Sequence, residues 1–542
     1  MPARPKLPPA STSPDLVPAP LPRRAFLGLA LGASAAWLSG CGDDSPATGG
    51  EGETEGSSGS ESGDVPSAMT TTGPTGLDDT SGDGSGDEST GGTGDPAACD
   101  DEGTLLRFDP DAVPQDDAAF PYTIFAGEMQ MTSVLLSVQI PDAQPKWLRV
   151  WRPAEEEGSS IVVAELEVTP DADGYVKVPI DGLCPGTWYQ YAYFVGDPDA
   201  PDARSPIGEV RTAPEEDALE PLTVAMTACN GSSLNWPALA RTADEYYDVF
   251  MHLGDMVYAD GSTSLEDYRQ VWREYTAAED YRISLSRSGL FVTWDDHEID
   301  DNSNFDRETM APDQLQKRQN AMDAFFEVLP IEAEGPDYQL WRSFRWGRTA
   351  EIIVLDCRYE RRPSMNQYIS PAQMEWLQDR LLNSPCHFKI VMNSVPITNM
   401  PVIWDFAAFD RWEGYIDQRG ELLSFIDQNL ITNVWFVSGD FHTSFVSRIE
   451  PGGTLTSNTY EIAITGGNTN PLPDITTGFS GDQFDYGVTE ARGCILMFDP
   501  EANAVNVRFI DPDTGEDLYN ETLSQTSGSM GPRPRVPARR RE

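Results

Sequence analysis

Histidine is scarce in this chain, with four residues in 542. Imidazole chemistry has few places to sit, so any metal centre must draw most of its ligands from other side chains. Basic residues are also few, 37 against 88 acidic, which leaves a formal net charge of −51. Phosphate-backbone binding needs clustered Lys and Arg, so nucleic acid is not an expected partner. Electrostatic adhesion to anionic lipid is disfavoured on the same ground. No internal repeat at a fixed period is evident. Disorder throughout is excluded, because 39% of residues are hydrophobic and 10% aromatic.

The N-terminus reads as an address. Arg23-Arg24 precedes a mostly apolar stretch ending at Leu38, then Ser39-Gly40-Cys41. The stretch is shorter than the roughly 20 apolar residues of a membrane span and has the form of a secretion signal. The arginine pair resembles a twin-arginine signal, which implies the twin-arginine export machinery as a partner. Leu38-Ser39-Gly40-Cys41 resembles a lipobox, with Cys41 as the acylated residue. Residues 1–41 are thus an expected signal peptide. The expected location is the cell envelope, periplasmic or surface, with membrane contact only through the lipid. Residues 42–100 contain 14 acidic and no basic residues among Gly, Ser and Thr. Such a segment cannot offset its ordering entropy, so 42–103 is an expected disordered linker. Residues 101–542 still carry about −40.

Two folded units follow. Residues 104–214 show short apolar or alternating runs, at Val134–Ile140, Leu148–Trp151, Ile161–Ala164 and Cys184–Phe194, separated by Pro, Asp and Gly. That pattern predicts an all-β sandwich. Cys99 and Cys184 are candidates for one disulfide in an oxidising compartment. Residues 215–525 alternate strands with amphipathic helices, which predicts an α/β domain. Strands are expected from Leu222, Val249, Leu290, Ile352, Phe388 and Val434. Helices are expected over Ser264–Tyr275, Asp313–Val328, Pro371–Leu382 and Gln418–Asn429. Residues 526–542 form an arginine-rich tail.

Polar clusters close five of these strands: Ala228-Cys229-Asn230, Gly254-Asp255-Met256-Val257-Tyr258, Asp295-Asp296-His297-Glu298, Asp356-Cys357-Arg358 and Gly439-Asp440-Phe441-His442. Ligands of α/β folds bind beyond the carboxyl ends of strands, so the clusters should converge on one rim. Crowded carboxylates need a cation. Thiolate, phenolate and imidazole suit a ferric ion, while carboxylates suit calcium or manganese. Singly, each cluster has a plainer reading as a turn or core residue. His252 reads as a packed histidine, and His387 as a strand-start residue at the surface. Five together point to metal chemistry. A glycine before each key Asp is expected to let the backbone turn sharply.

Taken in order, Ala-Cys-Asn, His-Leu-Gly-Asp-Met-Val-Tyr, Thr-Trp-Asp-Asp-His-Glu, Leu-Asp-Cys-Arg and Ser-Gly-Asp-Phe-His-Thr resemble the PhoD-like alkaline phosphatases. So do Phe325–Pro330, Phe409–Tyr415 and the upstream Pro185-Gly186-Thr187-Trp188-Tyr189 with Arg211-Thr212-Ala213-Pro214. The resemblance implies a four-layered α/β/β/α metallophosphoesterase sandwich behind a fibronectin-like β-sandwich. It implies Fe(3+) with Ca(2+) beside it. Cys229, Asp255, Tyr258 and His442 would bind iron, and Asp255 would bridge to calcium held by Asp296 and Asp440. His297 would stand near the leaving-group or a phosphate oxygen. The sequence departs from the family pattern four residues after that His, where Asp301 precedes Asn302. Asp301 or Asn302 would contact metal or phosphate, and Arg358 would contact phosphate or serve in a structural ion pair with Asp356; Asn302 and Arg358 are taken as the phosphate contacts.

The chemistry then expected is in-line attack at phosphorus by a metal-bound water, with His297 as proton donor to the leaving oxygen or hydrogen-bond donor to the developing charge. Substrates would be small organic phosphate esters, mono- or diesters. Two other readings fit the sequence: a phospholipase-like phosphodiesterase, and a surface-displayed binding lipoprotein without activity.

Overall fold

The computed structural model describes residues 103–525, except 157, 302–305, 333–337, 402–407, 451–458 and 471–482. Cys41, Cys99, Asn302, most of the linker and the basic tail therefore lie outside the described residues. No helix among the described residues is long and apolar enough to cross a membrane.

The N-terminal part builds an antiparallel six-stranded sheet from Thr104–Leu106, Lys146–Pro153, Ser160–Val168, Trp188–Asp197, Ala200–Arg204 and Gly208–Arg211. Cys184 is disulfide-bonded, and no other described cysteine is its partner. The sheet that faces this one is shared. Phe125–Gly127, Ser133–Gln139 and Tyr175–Asp181 extend the nine-stranded sheet of the following unit through the parallel pairing of Gly127 with Leu290. The β-sandwich and the α/β unit are thus joined by continuous sheet as well as by chain.

The remaining strands of that sheet are Leu222–Thr227, Val249–Leu253 and Gly289–Thr293, all parallel, flanked by antiparallel Gly493–Asp499, Ala504–Ile510 and Asp517–Leu523. A seven-stranded sheet carries Ala350–Val354, Phe388–Met392, Val434–Ser438 and Tyr460–Ala463 in parallel. Arg342–Trp346, Ser444–Arg448 and Phe484–Val488 pair antiparallel at its sides.

Alternation along each strand produces the layers. Val224, Met226, Met251 and Phe291 face Ile352, Val354, Ile390, Trp435 and Val437 between the two sheets. The intervening Ala225, Phe250 and Val292 pack on Trp236, Trp272, Tyr281 and Phe325 from the helices outside the first sheet. Ile353, Val391 and Phe436 pack on Leu377 and Leu422 outside the second. The result is the expected α/β/β/α sandwich. Helices occupy Leu265–Ala277, Pro312–Val328, Pro371–Asn383 and Ile416–Gln428, within two residues of the expected bounds at every end. The first opens on a capping box between Ser264 and Asp267, which satisfies two backbone donors at once.

Candidate metal centre

The polar clusters do converge, and strained backbone holds them. Among the described residues, eleven non-glycine residues have φ in the left-handed region, and four are Cys229, Asp255, Asp440 and His442. Each costs roughly 1–3 kcal/mol and persists where surrounding structure fixes it. The strand-end turns brace one another: Cys229 N–H donates to Gly254 O at 3.2 Å, and Asn230 N–H to Asp255 O at 3.2 Å. The two glycines before the aspartates act differently from each other, and only Gly254 as expected. Gly254 has φ of 103° and supplies the turn. Gly439 supplies room instead, because a Cβ there would lie 2.5 Å from Ala228 Cβ. At residue 440 the aspartate itself adopts the left-handed backbone.

Donor atoms of Cys229, Asp255 and His442 lie within 4.8 Å of one another. Tyr258 completes this set, its hydroxyl donating to Asp255 Oδ2 at 3.1 Å and standing 3.3 Å from His442 Nε2. A second set joins Asp255, Asp296 and His297, and a third joins Asp295, Asp296 and Asp440. Asp255 belongs to the first two and Asp296 to the last two, as bridging ligands would. Burial pushes the Cys229 thiol, the Asp255 and Asp440 carboxyls and the Tyr258 phenol well up, and neighbouring carboxylates add to the effect at each. Burial brings His442 down to about 4. A thiol, a phenol and carboxyls gathered out of water lack positive charge, and a cation at their centre would supply it. Soft sulfur with phenolate and imidazole fits a strong Lewis acid at the first set, and all-oxygen donors fit a harder ion near Asp296 and Asp440.

Arg358, taken as a phosphate contact, has a fully buried guanidinium that sits among carboxylates. It donates to both oxygens of Asp295, to Asp410 at 2.7 Å and to Asp440 at 2.5 Å, with Asp296 at 3.2 Å. It therefore compensates carboxylates from behind the site. Asp356 accepts from Trp294 Nε1 at 2.9 Å and from Tyr359 N–H at 2.8 Å, the role of a turn cap.

Several contributors were not foreseen. Glu298 accepts backbone N–H groups of Asp255 at 3.1 Å, Met256 at 2.5 Å and Asp295 at 2.7 Å, which ties two ligand loops to one carboxylate. Burial holds its pKa up at about 7 against those bonds. Asn230 stands 3.1 Å from His252 Nε2 and also bonds Tyr281. His252 is thus buried behind the centre, as a packed histidine. Asp260 lies 2.8 Å from His297 Nδ1. For Glu298 the sequence held one signal, the run of acidic residues Asp295 to Asp301, but a run does not disclose which members face inward.

With this geometry in hand, comparison with known proteins becomes specific. Models described as "PhoD-like phosphatase, N-terminal domain" and "PhoD-like phosphatase" match residues 108–214 and 224–472. Alkaline phosphatase D of Bacillus subtilis (strain 168) is 27% identical over 337 residues, 52% of this chain and 56% of that protein. The chain thus spans little more than half the length of that curated relative. A solved structure of PhoD aligns with a TM-score of 0.64 at 21% identity, covering 75% of this chain and 89% of that one. Purple acid phosphatase PPD1 from yellow lupin (Lupinus luteus) seeds aligns at 0.53 with 13% identity over 74% of each chain. At these identities both structures speak for the fold.

Proposed function

The chain belongs to the PhoD-like phosphatase family, and on that premise we propose that it is a metal-dependent hydrolase of phosphoric esters. One observation carries the reading: Cys229, Asp255 and His442 present their donor atoms within 4.8 Å, beside the hydroxyl of Tyr258. These four residues would hold one cation, of the ferric type. Asp296 and Asp440, with Asp255 as bridge, would hold a second of the calcium type. Such ions, when bound, acidify water and neutralise charge on a transferring phosphoryl group.

The chain's own residues then do the positioning. Glu298 fixes the loops carrying Asp255 and Asp295. Arg358 holds Asp440 from behind. Burial opposes charge on His297, but Asp255, Asp260 and Asp296 outweigh it and hold the imidazolium up to about 11. A protonated ring suits donation to a departing oxygen. The natural substrates we propose are small organic phosphate esters. We also propose export and lipid anchoring at Cys41, from Arg23-Arg24 and the sequence that follows.

The test is metal analysis coupled to phosphate release from 4-nitrophenyl phosphate and its bis ester. Bound iron, turnover of at least one ester and loss of turnover with a chelator are the expected results. Metal-free protein that hydrolyses neither ester would overturn the reading.

A further inference from the structure

The ring of His297 is held on two sides by residues of one loop. Tyr258 stacks on its face, with centroids 3.9 Å apart and planes at 29°. Two residues on, Asp260 presents both carboxylate oxygens to Nδ1, at 2.8 and 3.0 Å. The loop itself is fastened to the one carrying His297: Ala259 N–H donates to His297 O at 2.9 Å, and Gly261 N–H to Asp300 Oδ1 at 3.1 Å. Lys317 in turn anchors Asp300 at 2.5 Å. Nδ1 is thereby taken by Asp260, which leaves Nε2 as the ring's other donor. Nε2 faces away from Asp260 and stands 3.9 Å from Asp301 Oδ1, beyond hydrogen-bond length. The Asp260 side chain is 38% exposed and lies outside the buried ligand sets.

We propose that Asp260 is a positioning residue for proton donation, which fixes the His297 tautomer and aims Nε2–H at the leaving-group oxygen. The proposal rests on the phosphoesterase reading. In the step, the attacking water forms the new P–O bond as the ester P–O bond breaks. The released electron pair stays on the leaving oxygen, which takes the Nε2 proton. Neutral imidazole remains with Nδ1–H on Asp260, and the proton lost by the attacking water restores the imidazolium. A carboxylate that orients an imidazole in this way matters most when the leaving group is a poor one.

The experiment compares Asp260→Asn with the unaltered full-length enzyme on 4-nitrophenyl phosphate and on a simple alkyl phosphate. The nitrophenolate leaves without help, whereas the alkoxide needs the proton. The expected result is a fall in kcat of about 10²-fold on the alkyl ester, with little change on the aryl ester and unchanged metal content. In a His297→Asn background the same substitution should have almost no further effect on the alkyl ester, because the shared step is already lost. Equal losses on both esters, or loss of bound metal in Asp260→Asn, would overturn the proposal and make Asp260 a support of the metal centre. Failure of the unaltered enzyme on every ester would instead sink the phosphoesterase reading, and this inference with it.

Discussion

At the scale of single residues, Arg358 makes the clearest commitment. Its guanidinium is surrounded by Asp295, Asp296, Asp410 and Asp440 and has no exposed surface. Removing one partner of a buried charge network leaves the others uncompensated, at a cost of about 3–5 kcal/mol. Arg358→Met is therefore expected to lower the urea midpoint by that equivalent, and added divalent cation to recover part of it, since Asp296 and Asp440 would then hold the ion. An unchanged midpoint would mean that these carboxyls are neutral and need no arginine. The candidate ligand residues were legible in the sequence because they follow the ends of apolar strands, where a polar side chain has few structural reasons to stand. The direction of Arg358 was not legible. An arginine at a strand end points either to substrate or to neighbouring carboxylates, and only the fold decides. Asp260 was missed for a related reason: nothing in Tyr258-Ala259-Asp260-Gly261 announces that a histidine 37 residues later will meet it.

The element that assembles the centre is the strand end, and Gly254 is where two such ends touch. A Cβ at this position would stand 2.6 Å from Asp295 Cβ and 2.9 Å from Asp295 N, on a backbone with φ of 103°. Gly254→Ala must both strain its own backbone and push the Asp255 loop from the Asp295 loop. The expected destabilisation is about 1–3 kcal/mol, and hydrolysis should fall far more than stability does, because the bridging proposed for Asp255 depends on that spacing. Parallel denaturation and phosphate-release measurements check this; full activity in a stable variant would show that the loops tolerate separation. The four longer helices and six parallel strands of the α/β unit were readable because buried parallel strands are short continuous apolar runs and the helices keep a 3.6-residue period, whereas the short parallel strand Tyr460–Ala463 was not. The C-terminal strands Gly493–Asp499 and Ala504–Ile510 form an antiparallel extension of the first sheet. They went unassigned because nothing local in Gly493–Asp499 names its partner, Leu222–Thr227, more than 260 residues earlier. The merging of the sandwich sheet with the nine-stranded sheet was hidden likewise, since it rests on the single pairing of Gly127 with Leu290.

For the whole molecule the deciding quantity is charge. A net −51 gives a surface that repels the dianionic esters its centre is proposed to cleave, whereas the cations proposed there would attract them. Ionic strength separates the two. At about 0.01 M the Debye length is roughly 30 Å and the entire surface acts on an approaching ester; at about 0.15 M it is roughly 8 Å and only the mouth of the site does. If the acidic surface governs approach, kcat/KM for a phosphate monoester should rise severalfold over this range, reversing the usual salt dependence of steered association. A diester, with one negative charge, should respond less. The measurement is kcat/KM for both substrates across a salt series at fixed pH, with metal content held constant. A fall with salt for the monoester would mean that the field of the centre reaches past the acidic surface. The carboxylates counted in the composition would then be a matter of solubility and not of substrate approach.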